Sequence, residues 1–181
     1  MTNMTMTSPE DIVSALDRGL NDLEGLLDDS VTNETYALNP VPGFTSGIGP
    51  HVRHCLDHIE SLLQAAKSGA VIDYDRRKRG TPEETNRTAG INRLRTLRSR
   101  LCAATFPSDE TTCDICIMLA SDDPPKLIKS SWSREIMSVF QHTLHHLALL
   151  ASIARACGDE PSTQIGIAPS TPVEGVRPCA R

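Results

Sequence analysis

Aromatic residues are scarce in this sequence: one Trp, two Tyr and three Phe among 181 residues. Any core must therefore be aliphatic, built from Leu, Ile, Val and Ala. Cationic charge is also short, with 18 Lys and Arg against 23 Asp and Glu for a net charge of −5. That argues against a nucleic-acid partner, which calls for a basic face against the phosphates. No apolar run approaches the ~20 residues of a membrane-spanning helix, and no charged start followed by an apolar stretch marks a secretory signal. The expectation is a cytoplasmic protein with no membrane partner. At 39% hydrophobic and 23% charged, the composition fits one globular domain with a single core.

Six cysteines are present, but a cytosolic chain of this length does not use them as a disulfide framework. Cys55, Cys102 and Cys157 fall on apolar helical faces, where a free thiol acts as a small hydrophobe. Cys113 and Cys116 form C-D-I-C on a stretch that alternates apolar and polar, and Cys179 lies near the end. On a strand, residues three apart face opposite ways, so this pair reads as hairpin packing and not as a metal or redox motif.

Helical periodicity dominates the chain. Residues 1–7 are polar, Thr-rich and expected to be disordered. Ser8-Pro9-Glu10-Asp11 is a helix start, with a cap, a first-turn proline and acids at the N-terminus. Ile12, Leu16, Leu20, Leu23 and Leu27 then mark a first helix to about residue 29. Residues 30–46 carry Asn39-Pro40-Val41-Pro42-Gly43 and read as a loop. Ile48, Val52, Cys55, Ile59, Leu62 and Ala66 line a second helix over 47–66, with Gly69 as its stop. Thr81-Pro82-Glu83-Glu84 opens a third, with Glu84 placed to close a capping box, and Ile91, Leu94, Leu97 and Leu101 form its stripe. Its Arg93, Arg95, Arg98 and Arg100 are expected on its wet face. Cys113, Ile115, Ile117 and Leu119 alternate at the period of a strand. Asp122-Asp123-Pro124-Pro125 turns the chain, and residues 126–129 return as a second strand. A fourth helix spans 133–157, with its stripe at Ile136, Phe140, Thr143, Leu147, Leu150, Ala154 and Cys157 and with Gly158 at C′. The expected class is an all-α four-helix bundle with a small β-hairpin inserted between helices 3 and 4. The domain covers 8–172, and 173–181 form a flexible tail.

The chemistry sits in the histidines. The second helix offers His51, His54 and His58, and the fourth offers His142, His145 and His146. His142 and His146 are four apart, so both project from one helix face. Facing helices of a bundle bring such side chains to one level of the core. Three neutral imidazoles suit a divalent ion such as Zn, Ni or Fe and leave a coordination position open. His145 and His58 read as boundary residues. Helical phase alone does not choose among His51, His54 and His58 for the third ligand. Asp57 and Glu135 are candidate general bases only by proximity. The basic run Arg76-Arg77-Lys78-Arg79 reads as a solvated loop, or more sharply as a site that steers an anionic substrate.

The segments I-G-P-H-V-R-H-C-L-D-H and R-E-I-M-S-V-F-Q-H-T-L-H-H resemble the DinB/YfiT-like superfamily. Val71-Ile72-Asp73-Tyr74-Asp75 and I-G-I-A-P-S-T resemble one uncharacterised branch of it, and the likeness runs over about residues 8–172. The resemblance implies a four-helix bundle, a long crossover between helices 2 and 3, and a homodimer. It implies a divalent metal held by His54, His142 and His146. His54 is favoured over His51 because an apolar pair and Asp follow it, as Cys55-Leu56-Asp57. It further implies a metal-dependent thiol S-transferase, with a low-molecular-weight thiol as co-substrate, or a hydrolase, in either case acting on a small-molecule substrate. The alternative is a non-catalytic dimeric bundle, a binding or stress-response protein with a structural or vestigial histidine site.

Overall fold

The computed structural model describes residues 7–171 except 77. The expectations for 1–6 and 173–181, Cys179 included, lie outside the described residues.

Helix α1, Pro9–Gly25, starts as its sequence dictates. The Ser8 hydroxyl accepts from the Asp11 N–H at 3.2 Å, and the Asp11 carboxylate accepts from the Ser8 N–H at 3.1 Å. These two bonds satisfy donors that a helix start otherwise leaves open. Ile12, Leu16, Leu20 and Leu23 are buried along one stripe. The helix widens into a π turn, Leu26–Ser30, which buries Leu26 and Leu27. The carbonyls of this turn find a donor far along the chain. The Arg87 guanidinium donates to Leu27 O at 2.6 Å and Val31 O at 3.0 Å, and its Nε donates to Asn33 Oδ1 at 3.0 Å. Arg87→Ala is expected to destabilise the fold by about 2 kcal/mol, because charge-assisted bonds to otherwise open carbonyls are lost. The check is a lower urea midpoint at unchanged slope.

The stretch expected to be loop contains a short helix α2, Asn33–Ala37, capped by Thr32. It drives Tyr36 fully into the core, where the phenol donates to Glu83 O at 2.5 Å. Helix α3, Ile48–Ser68, ends at Gly69 with φ 69°, the left-handed stop expected of it. Helix α4 spans Arg87–Cys102 and is capped by Asn86. The anticipated start at Thr81-Pro82 is instead a separate 3-10 turn, Pro82–Glu84. The Glu84 carboxylate serves Gly80 N and Arg53 at 3.0 Å each instead of closing a capping box. Helix α5, Trp132–Ala156, is capped by Ser131, and Gly158 beyond it has φ 93°. Helix α1 packs on α4 and α5, and α3 packs on the same two.

The all-α four-helix bundle must be corrected. Among the described residues there are five α-helices and a three-stranded mixed sheet. The hairpin is present, with β2 at Thr112–Ile117 and β3 at Lys126–Ser131 in antiparallel register, Ile115 opposite Ile128. A further strand, β1 at Ile72–Asp73, adds parallel to β2, pairing Ile72 with Ile115 and Asp73 with Cys116. The segment between α3 and α4 is thus built into a sheet. Ile72 is fully buried, and Ser61 of α3 donates to Asp73 O at 3.0 Å. Cys113 and Cys116 do face opposite ways, Cys113 buried opposite Ser130 and Cys116 half-buried opposite Leu127.

Of the four arginines of α4 expected on its wet face, Arg95 and Arg100 are exposed as expected, at 53% and 43%, but the other two are not. Arg93 and Arg98 each keep only 21% side-chain exposure. Arg98 meets Asp17 at 2.9 Å and Glu24 at 2.5 Å, and Arg95 meets Glu24 and Asp28 at 2.6 Å each, tying α4 to α1. Arg93 meets Asp57 at 2.9 Å and Arg100 meets Glu60 at 2.7 Å, tying α4 to α3. The hydrogen bond from Arg95 holds the Glu24 carboxyl below its ordinary value. Among the described residues no helix is long and apolar enough to cross a membrane.

Candidate metal centre

Helices α3 and α5 run past each other in opposite senses, so their histidines interleave. His51 lies beside His146, with ring centroids 5.1 Å apart, and His58 lies beside His142 at 3.9 Å. Between these ends, His54 sits against both rings of α5. Its centroid is 4.7 Å from His142 and 5.1 Å from His146, edge-on to each at 83° and 82°. His142 and His146 are 4.5 Å apart. One nitrogen from each of His54, His142 and His146 lies within 4.8 Å of the others, so these three side chains could hold a metal ion. The donor set is three imidazoles with no carboxylate or thiol, which suits the borderline divalent ions. His146 is buried at 7% exposure, while His54 and His142 are half-buried.

Packing groups His54 with His142 and His146. His51 is outside the group, and burial followed by the charge of His145 pulls its imidazole below the ordinary value. His58 is outside it as well, because its ring lies face-on to His142 within 8°. An imidazole lone pair lies in the ring plane, so two stacked rings cannot aim at one ion. His145 is exposed.

Neither carboxylate considered as a base is available. Asp57 is held by Arg53 at 3.0 Å and Arg93 at 2.9 Å. Glu135 is buried, accepting from the Tyr74 phenol at 3.1 Å and the Ser130 hydroxyl at 2.6 Å. Nor is a cysteine activated among the described residues. Burial, with Asp57 adding to it, pushes the Cys55 thiol up to about 12, and burial also raises Cys102, Cys113, Cys116 and Cys157. A raised thiol is a poor nucleophile near neutral pH.

Part of the basic run lines a cleft of its own. Asp73 Oδ1 accepts from the Asp75 and Arg76 N–H groups at 3.0 Å each and turns the chain back. Arg76 and Lys78 line a cleft of about 590 Å³ together with Asp57, Glu60, Asp73 and Arg93. Acidic and basic side chains share this lining, and Arg77 lies outside the described residues. Sequence reasoning missed Tyr74 as a neighbour of the site. Its ring stacks on His58 at 4.9 Å and 13°. In a chain with six aromatic residues, one falling beside a buried strand was the available signal.

Fold and site together define a helical protein with a mixed sheet and a three-histidine candidate metal centre. No protein-family model matches the sequence, and no solved structure matches it. Among curated proteins it is similar to "FK506-binding protein 5" of Rhizopus delemar, at 27% identity over 115 residues. The match covers 63% of this chain and 30% of that protein, so the chain spans less than a third of the length of the relative it matches.

Proposed function

We propose that the protein binds one divalent metal ion, Zn, Ni or Fe, through His54, His142 and His146, and acts on a small molecule as a metal-dependent thiol S-transferase or hydrolase. One observation carries the reading: three imidazoles from two helices bring their nitrogens within 4.8 Å with no acid among them. A bound ion of this kind supplies Lewis acidity, making a thiol or a water that reaches it a usable nucleophile near neutral pH. The protein's own part is to hold the three rings, His54 and His142 half-buried and His146 buried. With every shifted cysteine pushed upward, a thiol reaction takes its thiol from a low-molecular-weight co-substrate. The resemblance to the DinB/YfiT-like superfamily supports the same ligand set and a homodimer. The name of the Rhizopus relative concerns FK506 binding by a protein of which this chain spans 30%, and it adds no substrate here.

A second reading is favoured by the engagement of Asp57 and Glu135 in ion pairs and hydrogen bonds. Without a base at the site, the three histidines serve as a structural clamp between α3 and α5. The discriminating experiment loads untagged protein with Zn, Ni or Fe(II) in turn. Each form is assayed with low-molecular-weight thiols plus an aryl halide, and with an activated ester. Turnover that is lost on chelation and in His54→Ala supports the enzyme. A lower melting temperature on chelation without turnover by any loaded form supports the clamp. Unloaded protein that turns over as fast as loaded protein would contradict both.

A further inference from the structure

The ring of His142 needs something outside itself to set its plane. Rotation about the last torsion of a histidine is broad and roughly two-fold, yet a productive metal site tolerates deviations of only about 10–20°. His142 meets this demand through a stack. Its face lies against His58 at 3.9 Å and 8°, and His58 in turn stacks on Tyr74, 4.9 Å away and 13° off parallel. Tyr74 is moored in turn. Its phenol donates to Glu135 at 3.1 Å, on the same helix as His142 and two turns earlier. Ser130 donates to the other Glu135 oxygen at 2.6 Å. The backbone just before Tyr74 is pinned by the pairing of Ile72 and Asp73 with β2 and by the bond from Ser61 to Asp73 O.

We propose that His58 and Tyr74 are positioning residues: Tyr74, moored on Glu135, presses His58 against His142 and so fixes the direction in which His142 offers its nitrogen to a metal ion. The chain of contacts closes on itself, from β1 through Tyr74 and His58 to His142, and back along α5 to Glu135. It explains why His58 shares a helix face with His54 without joining the three-nitrogen group. It also gives the two-residue strand β1 a task, since β1 delivers Tyr74. Burial, followed by the Glu135 charge, pushes the Tyr74 phenol up, which keeps it a neutral donor at physiological pH. The inference rests on the metal reading above.

The test uses the full chain and Co(II) as probe, with binding and the visible ligand-field bands as readouts. His58→Ala and Tyr74→Ala are expected to weaken Co(II) binding by roughly 10- to 100-fold, as the loss of a partner that orients a ligand does, and to alter the bands. His58→Phe keeps a flat ring and no nitrogen, and it is expected to restore affinity to within about threefold and to return the wild-type bands, on the same stacking argument. His58→Phe failing as badly as His58→Ala would overturn the proposal, since the nitrogen and not the stack would then matter. Unchanged affinity in His58→Ala would overturn it equally. Tyr74→Phe guards against a variant that does not fold, because it keeps the ring and loses only the mooring. A second readout needs no metal. The His142 ring protons should be shifted upfield in the metal-free protein, stay so in His58→Phe and relax in His58→Ala. A wild type that takes up no Co(II) refutes the metal reading itself, while unmoved His142 signals in His58→Ala refute the stack.

Discussion

His146→Ala is expected to remove stoichiometric binding of divalent metal, weakening affinity by more than about 100-fold, beyond the range seen when only an orienting neighbour is lost. His146 is the most buried member of the group, at 7% exposure, and its loss leaves one imidazole from each helix. Two ligands cannot define a tetrahedral site, and the ion would keep most of its water. The effect should also appear as stability. An ion present at about 100 times its dissociation constant stabilises the native state by about 2.7 kcal/mol. For a domain of this size that corresponds to roughly 5–10 °C in melting temperature. Wild type should therefore gain several degrees on adding Zn, and His146→Ala should gain none. Protons compete with metal for imidazole nitrogens, so the gain should shrink as the solution is acidified. Mass spectrometry of untagged protein is the direct check, and equal metal content in wild type and His146→Ala would end the three-histidine site.

What could be read from the sequence followed element length. A stripe such as Ile12, Leu16, Leu20 and Leu23 repeats often enough to fix a helix and its buried face, and those four residues are indeed buried. Helix α2 has five residues and β1 has two, too few to show a period of 3.6 or 2. Both are held by tertiary contacts, α2 through Tyr36 and β1 through its pairing with β2. That is why the all-α expectation failed at 72–73. The start of α4 went wrong for a related reason. Thr81-Pro82-Glu83-Glu84 and Asn86 both encode helix starts, and the choice between them depends on Arg53 drawing Glu84 away. At the histidines, spacing placed His142 and His146 on one face, and the grouping with His54 depends on the register of α3 against α5. Stacking is a matter of ring planes, which no spacing encodes, so the roles of His58 and Tyr74 were out of reach. The arginines of α4 carry the same lesson. Polar residues opposite an apolar stripe read as solvated, which holds for Arg95 and Arg100, but Arg93 and Arg98 are drawn down onto acids of α3 and α1.

Gly49→Ala is expected to cost about 3 kcal/mol of stability or more, at the upper end for overpacking a filled site, and to lower the melting temperature by roughly 6–12 °C. Gly49 lies in the first turn of α3, where one added methyl would ordinarily be harmless. Here a Cβ would fall 2.0 Å from the Glu84 carbonyl oxygen and 3.0 Å from the Tyr36 ring. Neither obstacle can swing aside. The oxygen is backbone in the 3-10 turn, and that turn is held by the Tyr36 phenol on Glu83 O and by Arg53 on the Glu84 carboxylate. Tyr36 cannot retreat either, because its hydroxyl already fills the space beside Gly90 of α4, where a Cβ would sit 2.3 Å away. The contrast is Gly25→Ala, at the end of α1. Its backbone is helical at φ −60°, and its Cβ would meet nothing nearer than Asp29 Oδ2 at 3.8 Å. There the methyl only restricts the unfolded chain, and a gain of about 0.5–1 kcal/mol is expected. Chemical denaturation of the two variants beside wild type gives the check. The same substitution should shift the midpoint in opposite directions, and a Gly49→Ala protein within about 0.5 kcal/mol of wild type, the ordinary range for an unconstrained surface change, would mean that α2 and the turn before α4 are not packed on α3 as described.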